Sequence, residues 1–466
     1  MKSLIRWLLL LALAPVFAQT PAPTPAPAAP APAAASAASA ASAAPTPDAA
    51  PLSATARRLF EASRGQLVQV RTLLAAQDSQ ASVGSGFVVG EEGLIVSNFH
   101  VVSQAALEPE GYRLRFVAAD GRRGALQILA LDLRHDLSLL RAVDEQGQPL
   151  RFERALGFRP AAEPLAKGER IYSMGHPQDV AFAIVEGNYN GLVERRFDPL
   201  IYYAGSLNPG MSGGPVLDDR GRVVGVNVSI LLFSQQMSFL IPGAMPEALL
   251  ARSRNAKPLT GAAWPELRTQ LLAYGEELTQ RFMQQNWREW GNGGGHARWR
   301  LPIPQEQFLR CWGSSTPPEA KGLRFDRMQC RMDHALFVSG RLQTGYLDVQ
   351  HEVYDGSRIG AWRFAQHYSA SFRNENLGRL NDKDRTAPHC AERFVDAGGL
   401  PARAVVCLRA YRKMEGIHDL TVLLTATDHP TQGLLGRFDA LGVGFDQALK
   451  LAGHFLKAYA KKEDAK

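Results

Sequence analysis

The chain has 466 residues, of which 45% are hydrophobic and 21% charged, and its formal net charge is +7. That length can bury a large core and divides into two or three domains at about 150 residues each. The positive excess, spread so thinly, forms no basic stripe for a nucleic acid and gives only a weak affinity for acidic surfaces.

The first segment reads as a leader rather than as fold. Lys2 and Arg6 form a charged start, "WLLLLALAPVFA" is an apolar run too short for a span of about 20 residues, and Val16, Phe17 and Ala18 precede a signal-peptidase site. Residues 1–18 are therefore expected to leave as a signal peptide. The mature chain would begin near Gln19, periplasmic or secreted, with no integral membrane span. No cysteine follows the site, which argues against a lipid anchor. Residues 19–56 are almost wholly Ala, Pro, Ser and Thr, which have nothing to bury and predict a disordered tether.

Residues 57–257 carry short apolar runs separated by turn signals, from "QLVQV" and "GSGFVV" through "RIYSMG" to "RVVGVNV" and "MSFLIP". Asn190-Gly191 and the stretch "DDRG" at 218–221 predict turns. Helical periodicity is nearly absent between Gly65 and Pro242. The expected architecture is all-β with two similar halves. At Pro258 the character changes: "WPELRTQLLAYGEELTQRFMQQNWREW" has apolar residues at helical spacing. Residues 258–466, with strands such as "AVVCLRAY" and a closing helix in "FDQALKLAGHFLKAY", are read as a separate α+β domain of unknown function.

Chemistry concentrates in "PGMSGGP", where Ser212 is a candidate nucleophile. A serine hydroxyl needs a base and a group that orients the base. His100 in "SNFHVV" and Asp136 in "RHDLSLL" would fill those roles, with Asp132 as the competing acid. Gly210 would let its own amide and that of Ser212 face a developing oxyanion. His135 is read as structural, its side chain sent to the opposite face from Asp136 by strand alternation, and His176 as shaping a turn. "GMSGG" also fits the nucleophile elbow of the α/β-hydrolases, but the hairpin-like "PVLDDRGRVVGV" after it is not the helix that reading requires. Neither metal-ligand spacing nor a phosphate loop is present, so no cofactor or metal is implied.

The order His100, Asp136, Ser212 in this setting resembles the trypsin-like serine endopeptidases, most closely the bacterial HtrA or Deg group, over about Gly65 to Pro242. The resemblance implies a chymotrypsin-like double β-barrel with the site between the barrels. It also implies polypeptide substrates among exported or misfolded proteins, a substrate-pairing edge strand at Asn227, Val228 and Ser229, and a primary specificity pocket based on Ser206. An uncharged Ser206 predicts cleavage after small or medium apolar residues. Two positions depart from the family pattern: Met211 replaces the usual Asn or Asp before the nucleophile, and Ser138 replaces an alanine. Met211 supports the alternative, a catalytically degenerate protease fold that acts as a binding or chaperone-like protein. No PDZ domain is recognised after Pro258, and the oligomeric state stays open.

All four cysteines lie beyond Pro258. Cys311 and Cys330 bracket "TPPEAKG", and Cys390 and Cys407 bracket "DAGGL", so folding each segment as a hairpin would pair them locally. Four cysteines allow three connectivities, and four buried thiols are the alternative to any of them.

Overall fold

The computed structural model describes residues 52–177, 180–230, 237–288, 290, 297–373 and 383–462. The expected leader and nearly all of the tether lie outside the described residues.

After a short helix α1 (Ala54–Ser63), six strands close a first barrel: β1 (Leu67–Leu74), β2 (Gln80–Gly90), β3 (Leu94–Asn98), β4 (Tyr112–Ala118), β5 (Arg123–Asp132) and β6 (Leu137–Val143). Their order around the barrel is β1-β2-β3-β6-β5-β4, and β1 pairs with β4 to complete it. The period of two is plain in β4, where Leu114, Phe116 and Ala118 point inward. Between β3 and β4 the chain forms α2 (Phe99–Leu107), a helix where only strands were expected.

The second barrel repeats the plan with β7 (Arg170–Gly175), β8 (Ala183–Leu192), β9 (Ile201–Ala204), β10 (Pro215–Leu217), β11 (Val223–Ile230) and β12 (Ser238–Pro242). They are ordered β10-β11-β12-β9-β8-β7, with β10 paired to β7. The turn at 218–221 is present: the Asp218 carboxylate accepts from the amides of Arg220 and Arg222, and Gly221 takes a φ of 82°. Asn190-Gly191, by contrast, is no hairpin turn. It sits inside β8, where the register slips between Tyr189 and Leu192 and Gly191 has a φ of 97°, so the positive φ serves a bulge.

Helix α3 (Ala244–Ser253) leads to α4 (Trp264–Met283), with Pro265 in its first turn. An antiparallel sheet of seven strands follows. Its spatial order is 310–315, 324–331, 346–355, 432–444, 417–426, 401–410, 389–396. Helix α4 and the closing helix Phe445–Lys457 cover one face, where Leu434 and Phe438 are buried. The helix Ala361–Arg373 covers part of the other, placing Phe364 and Phe372 against Leu423 and Leu435.

The composition breaks at Pro258, but the core does not. One continuous apolar cluster runs from Val68 and Phe99 of the first barrel through Leu267 and Leu271 of α4 to Phe438 of the sheet. Backbone hydrogen bonds stitch the same seam: the amides of Leu259 and Ala263 donate to the carbonyls of Ile128 and Ala106, each at 2.8 Å.

Cys311 faces Cys330 and Cys390 faces Cys407 directly across their hairpins, each pair at disulfide-bonding distance. Their Cα separations of 3.9 and 4.1 Å match the narrow, non-hydrogen-bonded kind of antiparallel pair. Each bridge closes a short loop and should contribute roughly 3 kcal/mol by restricting the unfolded chain. Chemical denaturation with and without reductant should therefore show a clear fall in midpoint on reduction, and an unchanged midpoint would refute a stabilising role for both bridges.

Candidate active site

Strand β3 delivers the chain to α2, whose first turn holds His100. Asp136 closes the turn at 133–136 between β5 and β6, with a φ of 53°. That left-handed conformation aims both its groups at α2. Its carbonyl accepts from the Phe99 amide at 3.0 Å and from Asn98 Nδ2 at 2.8 Å. Its carboxylate grips His100 twice, Oδ1 accepting from the backbone amide at 2.8 Å and Oδ2 lying 2.6 Å from Nδ1. An ionised carboxylate can only accept, so Nδ1 carries the proton and Nε2 keeps a lone pair. Desolvation opposes charging the half-buried imidazole, but the charge of Asp136 and its hydrogen bond outweigh it, and the His100 pKa is raised.

Asp132 does not reach His100. It accepts from the amide and Nδ1 of His135, and from Arg252 at 2.7 Å. Burial pushes its pKa up, yet His135 and Arg252 prevail and hold it at about 2. His135 lies in a turn rather than a strand, and its separation from Asp136 follows from this pairing. His176 directly follows β7, packs edge-on to Phe182 and has Nδ1 2.8 Å from Gln69 Nε2.

The Asp136 turn is also braced from outside the barrel. Gln270 of α4 accepts from the Leu133 amide and donates to the Leu131 carbonyl, both at 2.8 Å. Arg134 pairs with Asp198 and with Glu277 of α4.

Ser212 sits on the second barrel. Gly213 beside it has a φ of 84°, and its amide donates to the Asn227 carbonyl at 2.9 Å. A Cβ there would lie 2.2 Å from the Ser85 carbonyl oxygen. Met211 and Gly214 use their amides within the loop, whereas those of Gly210 and Ser212 have no hydrogen-bond partner among the described residues. Two open donors flanking Met211 are what an oxyanion hole requires. The Gly210 carbonyl is held by Ser85 Oγ at 2.7 Å. Ser85 also donates its amide to the Ser212 carbonyl at 2.7 Å, and its hydroxyl accepts from the His176 amide. Ser212 Oγ itself donates to the Val228 carbonyl at a long 3.5 Å, and among the described residues it has no hydrogen bond to His100.

Met211 anchors the loop by burial, fully inaccessible against Ile171, Tyr203 and Val216. The polar anchoring comes instead from Asn227, whose Nδ2 donates to the carbonyls of Met174 and Met211 while Oδ1 accepts from Ser173 Oγ. This corrects the expected edge. The amide and carbonyl of Asn227 are already bonded to Gly214 and Gly213, so the open edge of β11 begins at Val228 and continues through Ser229, with β12 on one side only. Ser206 is exposed. Ser138 is buried and donates to the end of β3.

Three contributors escaped sequence reasoning: Ser85, Gln270 and Phe337, whose ring centroid lies 6.0 Å from that of His100. Only Ser85 left a signal, a small polar residue flanked by glycines in "GSG".

Residues 84–226 match the family model of the trypsin-like peptidase domain. The matched residues lie within the two closed six-stranded barrels. The chain is also similar to proteases of the Do-like, DegP-like and HTRA kind. The chain is 28% identical over 228 residues to the chloroplastic Protease Do-like 1 of Arabidopsis thaliana, covering 44% of this chain and 49% of that protein. It is 29% identical over 182 residues to a probable periplasmic serine endoprotease, DegP-like, of Chlamydia trachomatis, covering 37% and 34%. It is 30% identical over 184 residues to Serine protease HTRA1 of Xenopus tropicalis, covering 38% and 37%. The chain thus spans half or less of the length of these relatives.

The His100 imidazole should titrate above the ordinary value of about 6.5, and Asp136→Asn should move it below, because desolvation then acts unopposed. The pair's charged form contributes stability below about pH 6.5, and that contribution fades as pH rises through the folded pKa. Histidine NMR titration checks both, and unchanged titration in Asp136→Asn would remove the assignment. Gly213→Ala should cost more than about 2 kcal/mol, since the φ is unfavourable and backbone blocks the Cβ; urea unfolding within 0.5 kcal/mol of wild type, about the size of a neutral surface change, would contradict it.

Proposed function

We propose that the chain is a serine endopeptidase in which Ser212 is the nucleophile, His100 the base and Asp136 its orienting group. His100 Nε2 takes the Ser212 proton as Oγ attacks the scissile carbonyl. The amides of Gly210 and Ser212 receive the oxyanion, each worth roughly 3 kcal/mol of transition-state stabilisation. His100 then protonates the leaving amine, and water repeats the sequence to release the acyl group. The observation that carries this reading is the double grip of the Asp136 carboxylate on His100, which selects the tautomer a base needs. The contact between Ser212 Oγ and Val228 is too long to hold the hydroxyl firmly.

That same contact, in place of one to His100, favours a second reading: a degenerate protease fold that binds polypeptides without cutting them. We further propose residues 57–257 as the catalytic unit, residues 1–18 as a cleaved leader, and action on exported or misfolded proteins in the periplasm or outside the cell. The similarity to the Chlamydia relative, a probable periplasmic serine endoprotease, supports that location. The uncharged Ser206 favours small or medium apolar residues before the scissile bond.

A fluorophosphonate probe should label the wild type and not Ser212→Ala. Ser212→Ala and His100→Ala should each lower cleavage of a loose substrate such as casein by on the order of 10⁴-fold, with folding intact. No labelling of the folded wild type would replace the enzyme by the binding protein.

A further inference from the structure

A cavity of about 190 Å³ lies where both barrels meet the C-terminal region. The first barrel lines it with the 133–136 turn, including Asp136, and the second with Val228 and Phe239. The third wall is His334 and Phe337, which belong to no part of the peptidase domain. Phe337 also packs edge-on to His100, and Val228 starts the open edge of β11. The cavity therefore touches the carboxylate that orients the proposed base, a ring that packs on that base, and the strand edge along which an extended peptide can pair.

Its size and chemistry narrow the occupant. Small-molecule pockets run from about 300 to 1,000 Å³, whereas this space holds about six waters' worth of volume at about 30 Å³ each, enough for one side chain. Every other charged lining group is already paired: Arg134 with Asp198 and Glu277, Arg196 with Asp333, His135 with Asp132, and Asp136 with His100. Desolvation in the cleft and the neighbouring Arg196 charge lower the His334 pKa, which favours a neutral ring. No unpaired charge remains to receive a charged side chain, and Val228, Phe239 and Phe337 present apolar surface.

We propose that this cavity is a specificity subsite for one apolar side chain of the polypeptide substrate, at a fixed position relative to the scissile bond, and that the C-terminal region completes it through His334 and Phe337. The proposal rests on the endopeptidase reading. In an extended peptide alternate side chains point to the same side, so a strand added at Val228 presents one of them to the cavity while the next turns away.

Cleavage-site profiling with a peptide library tests this, with fluorophosphonate labelling as the independent measure of the triad. The wild type should select Leu, Ile, Met or Phe at one position besides the residue before the scissile bond. Phe337→Ala, which opens the wall, and His334→Trp, which fills the space, should each reduce kcat/KM for those peptides by about tenfold or more relative to peptides with Ala there. The labelling rate of His334→Trp should stay within about threefold of wild type, a small change beside that loss. Unchanged profiles in both variants, with labelling retained, would overturn the subsite. A loss of labelling in Phe337→Ala with an unchanged profile in His334→Trp would also overturn it, leaving Phe337 as a residue that positions His100. Absence of labelling in the wild type would instead remove the endopeptidase reading beneath it.

Discussion

The proposed nucleophile and its base stand on different closed barrels, and closed barrels share no strand. Their relative placement therefore depends on the seam, where a shared apolar cluster holds the barrels together and Ser85 makes the polar connection to the nucleophile loop. Its amide holds the Ser212 carbonyl, its hydroxyl holds the Gly210 carbonyl, and the same hydroxyl receives the His176 amide. Each bond is worth about 1 kcal/mol net. Their joint effect is geometric, because they fix the Gly210–Met211 and Ser212–Gly213 peptide planes on either side of the Met211–Ser212 peptide, whose amide stays open. Gly213 meets the same seam with no room for a Cβ.

Orientation of the base is a second problem with a second support. Asp136 has its left-handed backbone in a turn whose neighbours Leu131 and Leu133 are bonded to Gln270 of α4. The region after Pro258 thus reaches the geometry of the candidate site through hydrogen bonds to its backbone, an Arg134–Glu277 ion pair and a shared apolar core. A residue 134 positions away from Asp136 in sequence steadies the carboxylate that steadies His100. Such long-range bracing allows the acid to sit in a short turn without loss of precision.

What the sequence made legible was local and periodic. Inward alternation in strands such as β4 marked the barrels, and glycine-rich "PGMSGGP" with its upstream His and Asp marked the site. The near-symmetric placement of cysteines about two turns predicted hairpin pairs that do lie in register. Helix α2 was illegible because most of its residues, from Phe99 to Leu107, are buried, which leaves no polar face to reveal a period of 3.6. Asn190-Gly191 carried a turn signature but needed its positive φ for a bulge. Asn227, read as part of the substrate edge, spends its polar groups on the Met211 loop. Ser85, Gln270 and Phe337 act through partners some ninety or more positions distant, and no local pattern encodes those pairings.

An open antiparallel sheet carries a hazard that a barrel does not, since its two outermost strands present unpaired backbone to any other chain. Here each outermost strand is tied to its inner neighbour by a cysteine pair, one at 311 and 330, the other at 390 and 407. A frayed border strand cannot peel away to expose the next, nor be exchanged with a second copy while the hairpin stays closed. The sheet, whose strand 324–331 runs directly into the segment that walls the proposed subsite, is thereby protected from strand exchange and fibrous assembly, at the cost of needing an oxidising compartment before that protection exists.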